Sequence, residues 1–506
     1  MIGTLTARRV SMSKLSNHAP GLRSPHLGVT AVALAVLTGC MSHMDDMGDM
    51  GGPPEVIKVP PSEGQFETEA APDLDPADDV VEVELEAKAS EVEIAPGHRA
   101  RMWTYNGSLP GPRIEAKVGD TVRIHFHNSL PEETTIHWHG LRVPSAMDGV
   151  PRVQSPIAPG EEFTYEFVVP DAGTFWYHPH VRSDEQVERG LYGAIVVRGL
   201  SEPETTSDQV VVLDDILIDP ATWQLAAFDQ MMQGMVGRQG NVLLANGRAH
   251  PIVDVRPGGL HRFRFVNAAN ARYFRLALPG KSFNLIGTDG GLLETPRKLR
   301  ELLLVPGQRA DVLVAADDAA DAALEWQTLP YDRGHGTGAL PESAVFQMRS
   351  TADDAVTTPS VPSELATIEP LSEPTVRRRF ELEESMGAHS GHMGSSGMGA
   401  VFSINGFVYP DVENLSSALD TVEEWSIVNT TTMDHPFHLH GFRFQVRSDD
   451  GAAPDFLAWR DTVNVRAETT TRFRVKLEDN AGTWMFHCHI LEHAERGMMG
   501  ELEVQE

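Results

Sequence analysis

Three stretches of the chain repeat one pattern, and this repeat limits the fold more than any other feature of the sequence. Each copy has an Asn-Gly pair ahead of a strand-like segment that closes on another asparagine. The pairs begin at Asn106, Asn246 and Asn405, and the closing asparagines are Asn128, Asn267 and Asn429. Short runs of alternating hydrophobicity, bounded by glycine, proline and asparagine, surround these landmarks and are typical of β-strands. The repeat therefore predicts an all-β chain built from three copies of one domain.

Length and charge agree with this organisation. The chain has 506 residues, which suffices for about three domains of ordinary size. Its 72 acidic residues outnumber 41 lysines and arginines, and the net charge of −31 predicts no nucleic-acid partner. The composition shifts along the chain predict a signal peptide, a linker, a first and a second domain, a second linker rich in Met, His and Gly, and a third domain. These segments are expected at residues 1–40, 41–79, 80–200, 201–355, 356–400 and 401–506.

The first forty residues have the features of an export signal. Basic residues precede an apolar run from Leu27 to Leu37, which is too short to span a bilayer. The run ends in Leu37-Thr38-Gly39-Cys40, which resembles the lipobox of bacterial lipoproteins and implies a lipid anchor at Cys40 in the cell envelope, on the periplasmic side. The alternative is an ordinary secretory signal that contains a cysteine by chance.

Histidine pairs occupy the same register in the first and third copies. Nine residues after Asn128 the chain reads His137-Trp138-His139, and nine after Asn429 it reads His438-Leu439-His440. Because residues i and i+2 of a strand share a face, each pair directs two imidazoles to one side. Two later segments add the pairs His178/His180 and His487/His489 in matching positions. Four pairs in a repeated register predict a metal site made of eight imidazoles.

Two comparisons within the chain delimit this site. In the second copy the corresponding residues are Leu276-Ala277-Leu278, so the middle domain is predicted to bind no metal. A fifth pair, His125 and His127, corresponds in the repeat register to Ser426 and Val428 of the third copy. We therefore expect His125 and His127 to lie on an ordinary strand, outside the metal site.

Cys488 predicts a second kind of site. It lies between His487 and His489, so its side chain must point to the opposite face of the strand. His493 and Met498 follow at intervals of five residues, and His435 precedes the His438 pair by three. Two imidazoles, a thiolate and a thioether are the ligands of a blue-copper site with a weak axial methionine. Zinc also binds Cys and His, but it rarely accepts a thioether.

These segments resemble the four copper signatures of the multicopper oxidases, a family that includes laccases, bilirubin oxidases and bacterial cuprous oxidases. The resemblance rests on His137-Trp138-His139-Gly140, His178-Pro179-His180, the segment from His435 to Gly441 and the segment from His487 to Met499. It implies three cupredoxin-like Greek-key β-sandwich domains that hold four copper ions. It further implies a type 1 site of His435, Cys488, His493 and Met498, a type 2 site of His137 and His438, and a type 3 pair held by His139, His178, His180, His440, His487 and His489.

The resemblance also implies the reaction, in which four one-electron oxidations at type 1 copper drive the reduction of O2 to water. Asp148 matches an acidic residue that the family carries near its copper cluster, and we expect it to relay protons; the alternative is a loop salt bridge. Ala494 stands where several bacterial relatives carry glutamate. Glu495, one residue further on, is a candidate substitute.

The reducing substrate is left open between Cu(I), as in copper tolerance, and phenols or aromatic amines, as in laccases. A Met-, His- and Gly-rich segment at 386–398 resembles the methionine-rich insertion of cuprous oxidases, and its alternative is a glycine linker. Met433 matches a methionine of their substrate site, whereas Thr431 replaces its acidic residue. Met41, Met44, Met47 and Met50 are either soft ligands for Cu(I) or part of a tether. A copper-binding scaffold protein descended from oxidases is the third reading, although none of the twelve expected ligands is missing; we expect a monomer.

Overall fold

A computed structural model describes residues 54–506 except 229–231, 317–322, 336, 352–355, 357–358 and 391–395, and it gives only the backbone of 387–390 and 396–398. The lipobox cysteine and the methionines at 41–50 lie outside the described residues. The fold is all-β, as predicted: six sheets form three sandwiches in chain order. No helix among the described residues has the length and apolar character needed to cross a membrane.

Alternating side chains build the first sandwich. In the strand from Thr121 to Asn128, Val122, Ile124 and Phe126 are buried while His125 faces solvent. The strands are β1 Val80–Ala95, β2 His98–Tyr105, β3 Gly111–Lys117, β4 Thr121–Asn128, β5 His137–His139, β6 Glu162–Val168, β7 Gly173–His178 and β8 Gly193–Arg198, with a 3-10 turn at Ser145–Met147 and helix α1 at Ser183–Glu188. One sheet has the order β2-β1-β4-β6 and the other β3-β8-β7-β5.

The second sandwich has buried leucines at the positions where the first and third sandwiches have paired histidines. Leu276 and Leu278 are buried in its core together with Trp326. Its elements are β9 Ser207–Ile216, helix α2 Met232–Val236, β10 Val242–Ala245, β11 Ile252–Val255, β12 Leu260–Asn267, β13 Phe274–Ala277, β14 Phe283–Thr288, β15 Gly291–Leu299, β16 Glu301–Leu304, β17 Arg309–Ala315, β18 Ala323–Leu329 and β19 Ser343–Ser350. The sheet orders are β10-β9-β12-β17-β14-β15 and β11-β19-β18-β13-β16.

The third sandwich repeats the arrangement of the first. Trp425, Phe437 and Phe486 lie in its core. Its elements are β20 Val376–Ser390, β21 Ser396–Ile404, β22 Ser416–Ala418, β23 Val422–Asn429, β24 His435–Leu439, β25 Phe444–Asp449, β26 Thr462–Val465, β27 Thr470–Lys476, β28 Gly482–Cys488, helix α3 Leu491–Glu495 and β29 Met499–Gln505. The sheet orders are β21-β20-β23-β27-β25 and β22-β29-β28-β24-β26.

Strand pairing in the first and third sandwiches brings the histidine pairs side by side. His137 on β5 lies opposite His178 on β7, and His438 on β24 lies opposite His487 on β28. The same register places Phe437 opposite Cys488. The repeated sequence spacing thus produces two equivalent pairs of antiparallel strands that carry all eight imidazoles at or just beyond their ends.

Both predicted linkers need correction. The part of the 41–79 segment that the structure describes packs against the body: Phe66 is buried in the core of the second sandwich, and the Ile57 amide donates to the Asn241 carbonyl. The 356–400 segment contains β20, which pairs in parallel with β23 from Val376 to Leu382. Both segments are rich in acidic residues, proline or glycine, and this composition indicated linkers. Each also contains short apolar stretches that pack against the body of the protein, and these stretches determine its structure.

Candidate metal centre

Cys488, His435 and His493 meet in the core of the third sandwich. The Cys488 Sγ lies 3.5 Å from the His435 Nδ1 and 3.8 Å from the His493 Nδ1, and the two nitrogens are 3.3 Å apart. All three side chains are completely buried. β28 supplies the cysteine, β24 the first histidine and α3 the second. This is the trigonal arrangement of two imidazoles and a thiolate that suits copper.

Burial tunes these groups for a cation. It raises the pKa of the Cys488 thiol to about 12 and lowers the pKa of His435 to about 3. Both shifts follow from desolvation, which penalises the charged form of each group. Imidazoles held neutral bind metals, and a metal cation that binds the sulfur displaces its proton.

Met498 joins this group through the backbone. Its amide donates to the His493 carbonyl at 3.0 Å, and its carbonyl accepts from the Cys488 amide at 3.1 Å. Its side chain is fully buried in the same core cluster as Cys488. The structure therefore places Met498 in the same buried core as the predicted thiolate.

The eight paired histidines form a second group between the first and third sandwiches. The His487 Nε2 lies 3.0 Å from the His440 Nε2 and 3.5 Å from the His180 Nε2. The His139 and His438 rings stack with centroids 3.8 Å apart. Every member is buried, and the eight residues are His137, His139, His178, His180, His438, His440, His487 and His489.

Unsatisfied nitrogens show what this group is suited to hold. Six buried ring nitrogens have no hydrogen-bond partner: His137 Nε2, His139 Nδ1, His178 Nε2, His438 Nε2 and both nitrogens of His489. A buried polar atom left unpaired costs about 1–3 kcal/mol. Six unpaired nitrogens in one group therefore indicate a binding partner other than the protein itself. Burial also lowers the pKa of His180 to about 3 and holds the pKa of His178 well below its usual range. Neutral imidazoles with free lone pairs fit several copper ions.

Comparisons with known proteins agree with this geometry. Family profiles described as multicopper oxidase match residues 86–202, 204–323 and 378–506. The multicopper oxidase Mco of Staphylococcus aureus is 30% identical over 437 residues, which cover 83% of this chain and 88% of that protein. The chain belongs to the multicopper oxidase family.

Solved structures of the family share its fold. A multicopper oxidase from Campylobacter jejuni, described as a metallo-oxidase, is 32% identical and has a TM-score of 0.78, covering 90% of this chain and 99% of that one. A laccase from Pediococcus acidilactici is 30% identical with a TM-score of 0.76, covering 90% and 96%. The three sandwiches of this multicopper oxidase are cupredoxin domains, as the resemblance implied.

Asp148 holds two of the imidazoles in place. Its carboxylate Oδ2 accepts a hydrogen bond from the His440 Nδ1 at 2.8 Å, and its backbone carbonyl accepts from the His137 Nδ1 at 2.9 Å. Each bond fixes the proton on Nδ1 and leaves Nε2 as the ligand atom. The sequence located this carboxylate beside the cluster; its role as a proton relay stays a prediction.

Asp461 has a comparable role that the sequence did not indicate. Its Oδ1 lies 3.2 Å from the His139 Nε2, and its carbonyl accepts from the His438 Nδ1 at 2.9 Å. Arg309 of the second domain donates to its carboxylate at 2.7 Å. Burial would raise the pKa of Asp461, but the charge and hydrogen bonds of Arg309 lower it below its usual range. The middle domain thus supports the cluster without contributing a ligand, and only the tertiary structure reveals this.

A cavity of about 260 Å³ reaches the cluster at His180. Apolar and acidic side chains line it, among them Met485, Glu132 and Glu495. The Glu495 Oε1 accepts hydrogen bonds from the Ser183 amide at 2.8 Å and the Ser183 hydroxyl at 2.9 Å. A space of this size admits O2 and water, so Glu495 lies where a carboxylate can meet solvent on its way to the cluster.

Two further residues singled out in the sequence, His125 and Met433, have different surroundings. His125 is on the exposed face of β4, where its Nε2 contacts the Glu82 carboxylate at 2.7 Å, far from any of the histidine groups. Met433 is fully buried, and its sulfur lies 3.6 Å from the Arg333 Nη1. The match of Met433 to a substrate-site methionine stays a prediction.

Proposed function

We propose that this multicopper oxidase oxidises Cu(I) at a type 1 site made of His435, Cys488, His493 and Met498. The eight imidazoles would hold the other three copper ions, with His137 and His438 at type 2 copper and the rest at the type 3 pair. Bound copper would supply the storage of four electrons and the reduction of O2 to two waters. Cys488 and its peptide neighbours His487 and His489 join the two sites covalently.

The observation that carries the choice of reductant is the covering of both type 1 imidazoles. Their Nδ1 atoms converge with the cysteine sulfur, so their Nε2 atoms point away from it. The His435 Nε2 lies 2.8 Å from the Thr431 hydroxyl, and the His493 Nε2 lies 3.3 Å from the Met235 carbonyl in α2. Phe402 of β21 stacks on the His493 ring with centroids 4.0 Å apart. An aromatic substrate therefore has no exposed imidazole edge to touch.

Methionines lie in the cover itself. α2 carries Met232 and Met235, and Met235 packs against the core that contains Cys488. Met386 is 66% exposed on β20, whose partner β21 also contacts α2. Thioethers prefer Cu(I) to hard cations, so this cover suits a soft metal ion better than an organic ring. The similarity to a protein described as a metallo-oxidase supports the same choice.

A laccase-like oxidase of phenols or aromatic amines is the second candidate, because the chain is also similar to a laccase over 90% of its length. The two candidates differ in what α2 does. If α2 guides Cu(I), removal of its thioethers should slow Cu(I) oxidation. If α2 only covers a site for organic substrates, the size of its side chains should determine the rate instead.

The experiment compares Met235→Leu with a matched control, Met147→Leu, in the first domain. Oxygen uptake is measured with a Cu(I) complex and with a phenol as the reductant. We expect Met235→Leu to lower kcat/KM for Cu(I) by about tenfold, the effect of losing one soft ligand, and to leave phenol oxidation unchanged. Unchanged Cu(I) kinetics together with slower phenol oxidation would favour the laccase-like function.

We also propose that the protein is exported and held at the membrane by a lipid on Cys40. The apolar run ahead of a lipobox-like tetrapeptide supports this proposal. A location in the envelope is consistent with the chemistry, because copper ions from outside the cell meet the enzyme there.

A further inference from the structure

Arg333 differs from every other deeply buried arginine in the described part of the chain. Five such arginines each have a carboxylate oxygen within 2.7 Å, namely Arg238, Arg262, Arg264, Arg272 and Arg309. Arg333 is only 2% exposed, yet it forms no ion pair with a carboxylate of the described residues and contacts Met433 and the Val236 carbonyl instead. Its charge is buried without an ordinary ionic partner. Such burial is costly unless another negative group compensates for it.

The contacts of Arg333 lead to the type 1 ligands. Its Nη1 lies 3.6 Å from the Met433 sulfur, its Nη2 donates to the Val236 carbonyl, and its Nε has no partner. Its backbone carbonyl accepts from the Asp434 amide at 2.8 Å, immediately before the ligand His435. The guanidinium is thus fixed between α2 and the strand that begins with a type 1 ligand.

The electrostatic effects of this charge are directed at the same ligands. Burial is the main reason why the pKa of His435 is low, and the charge of Arg333 lowers it further. Burial raises the pKa of the Cys488 thiol, whereas Arg333 acts in the opposite direction and favours the thiolate. The contacts of Arg333 with Met433 and Asp434 place this charge beside the segment that begins the ligand strand at His435. Burial lowers the pKa of Arg333, and the nearby Tyr273, Glu492 and Cys488 act against that shift.

We propose that Arg333 is a positioning residue that raises the reduction potential of the type 1 site. With a thiolate ligand, the site carries a formal charge of +1 as Cu(II) and 0 as Cu(I). A fixed cation in a medium of low polarity repels the first state and leaves the second almost unaffected. One electron enters the site in this step, and no proton needs to move. The inference rests on the proposed type 1 site but does not depend on the identity of the reductant.

The test measures the midpoint potential of the blue absorption in the copper-loaded full chain. Arg333→Met removes the charge and keeps much of the side-chain length, Arg333→Lys keeps the charge, and Arg264→Met removes a carboxylate-paired buried arginine as the control. We expect Arg333→Met to favour Cu(II) by about tenfold or more, which corresponds to a fall of about 59 mV for one electron. For Arg333→Lys and Arg264→Met we expect a Cu(II)/Cu(I) equilibrium constant within about threefold of that of the parent protein.

Two outcomes would overturn the inference. One is an intact blue site in Arg333→Met whose Cu(II)/Cu(I) equilibrium constant stays within about threefold of that of the parent protein. The other is an equal fall in Arg333→Lys, which would show that shape and not charge is responsible. If Arg333→Met does not fold, Arg333→Gln tests the same loss of charge against the same limits. Absence of any blue absorption in the parent protein would instead refute the proposed type 1 site, so the two failures are distinguishable.

Discussion

Cys488 and its two neighbours occupy opposite faces of one strand, and this places a single residue between two metal sites. Its sulfur faces His435 and His493, while His487 and His489 face the cluster. We predict that Cys488→Ser abolishes both the blue absorption and the oxidase activity, because a hydroxyl supplies neither the thiolate charge transfer nor the electron path. Visible absorption and oxygen uptake check this. A variant that stays blue would contradict the assignment.

His125 offers the matching control among histidine pairs. It is 43% exposed and hydrogen-bonded to Glu82, so its imidazole makes a surface contact. We predict that His125→Ala keeps four coppers and most of its activity, since surface pairs of this kind contribute little to stability. His178→Ala, at a buried position, should lose copper. Metal analysis after dialysis distinguishes the two, and loss of a copper from His125→Ala would show that the wrong pairs were chosen.

At the scale of single residues, the sequence alone identified the histidine groups, because strand periodicity and repeated spacing can both be read from it. The residues that orient or cover them were not predictable in the same way. Asp461 and Thr431 reach His139 and His435 through contacts that depend on the assembled strands. Arg333 and Met235 come from the middle domain, whose lack of ligands gave no sign that it borders the type 1 site. Only the packing of the domains brings these residues together.

The hairpin of β20 and β21 shows why an element was misjudged. Its glycine, serine and methionine content indicated a linker, but Phe380 and Leu382 are buried on one face of β20. Glu384 and Met386 continue the same face at intervals of two residues, which extends the strand beyond the sheet. The backbone pairs Met386 with Ala400 and Ser390 with Ser396. The segment predicted to be flexible is therefore a paired arm that runs from the type 1 site outwards.

Shortening this arm tests its role. Residues 386–398 are replaced by Asn-Gly, which leaves a four-residue loop, Asn-Gly-Gly399-Ala400, between the paired residues Ser385 and Val401. We predict a lower kcat/KM for Cu(I), because the thioethers of Met386, Met393 and Met398 are lost, and an unchanged or faster oxidation of phenols, because the arm is shorter. Steady-state kinetics with both reductants measure this. Untouched Cu(I) kinetics with slower phenol oxidation would instead make the arm part of an organic-substrate site.

At the scale of the whole molecule, the lipid anchor proposed at Cys40 would decide where the enzyme works. We predict that the mature protein separates with membranes and that Cys40→Ser either releases it or blocks its processing, because the lipid is attached to that sulfur. Cell fractionation and mass spectrometry of the mature N-terminus measure this. Unlipidated parent protein cleaved at another position would contradict the lipobox interpretation.

Copper and acidity should affect the stability of the whole molecule together, because the first and third domains meet through buried histidines. The pKa of His180 and the pKa of His435 are both lowered to about 3 by burial, against about 6.5 in an unfolded chain. Below pH 6.5 the unfolded chain therefore binds protons that the folded chain does not, so the free energy of unfolding falls as the pH falls towards 3. Each such histidine lowers the free energy of unfolding by about 1.4 kcal/mol per pH unit in this range, and several act at once.

We predict that the Tm of the copper-free protein falls steeply from pH 7 to pH 5, whereas the Tm of the copper-loaded protein changes little because bound ions occupy the same nitrogens. Calorimetry of both forms measures this, and equal slopes would show that the buried imidazoles are not the groups that link the domains to copper.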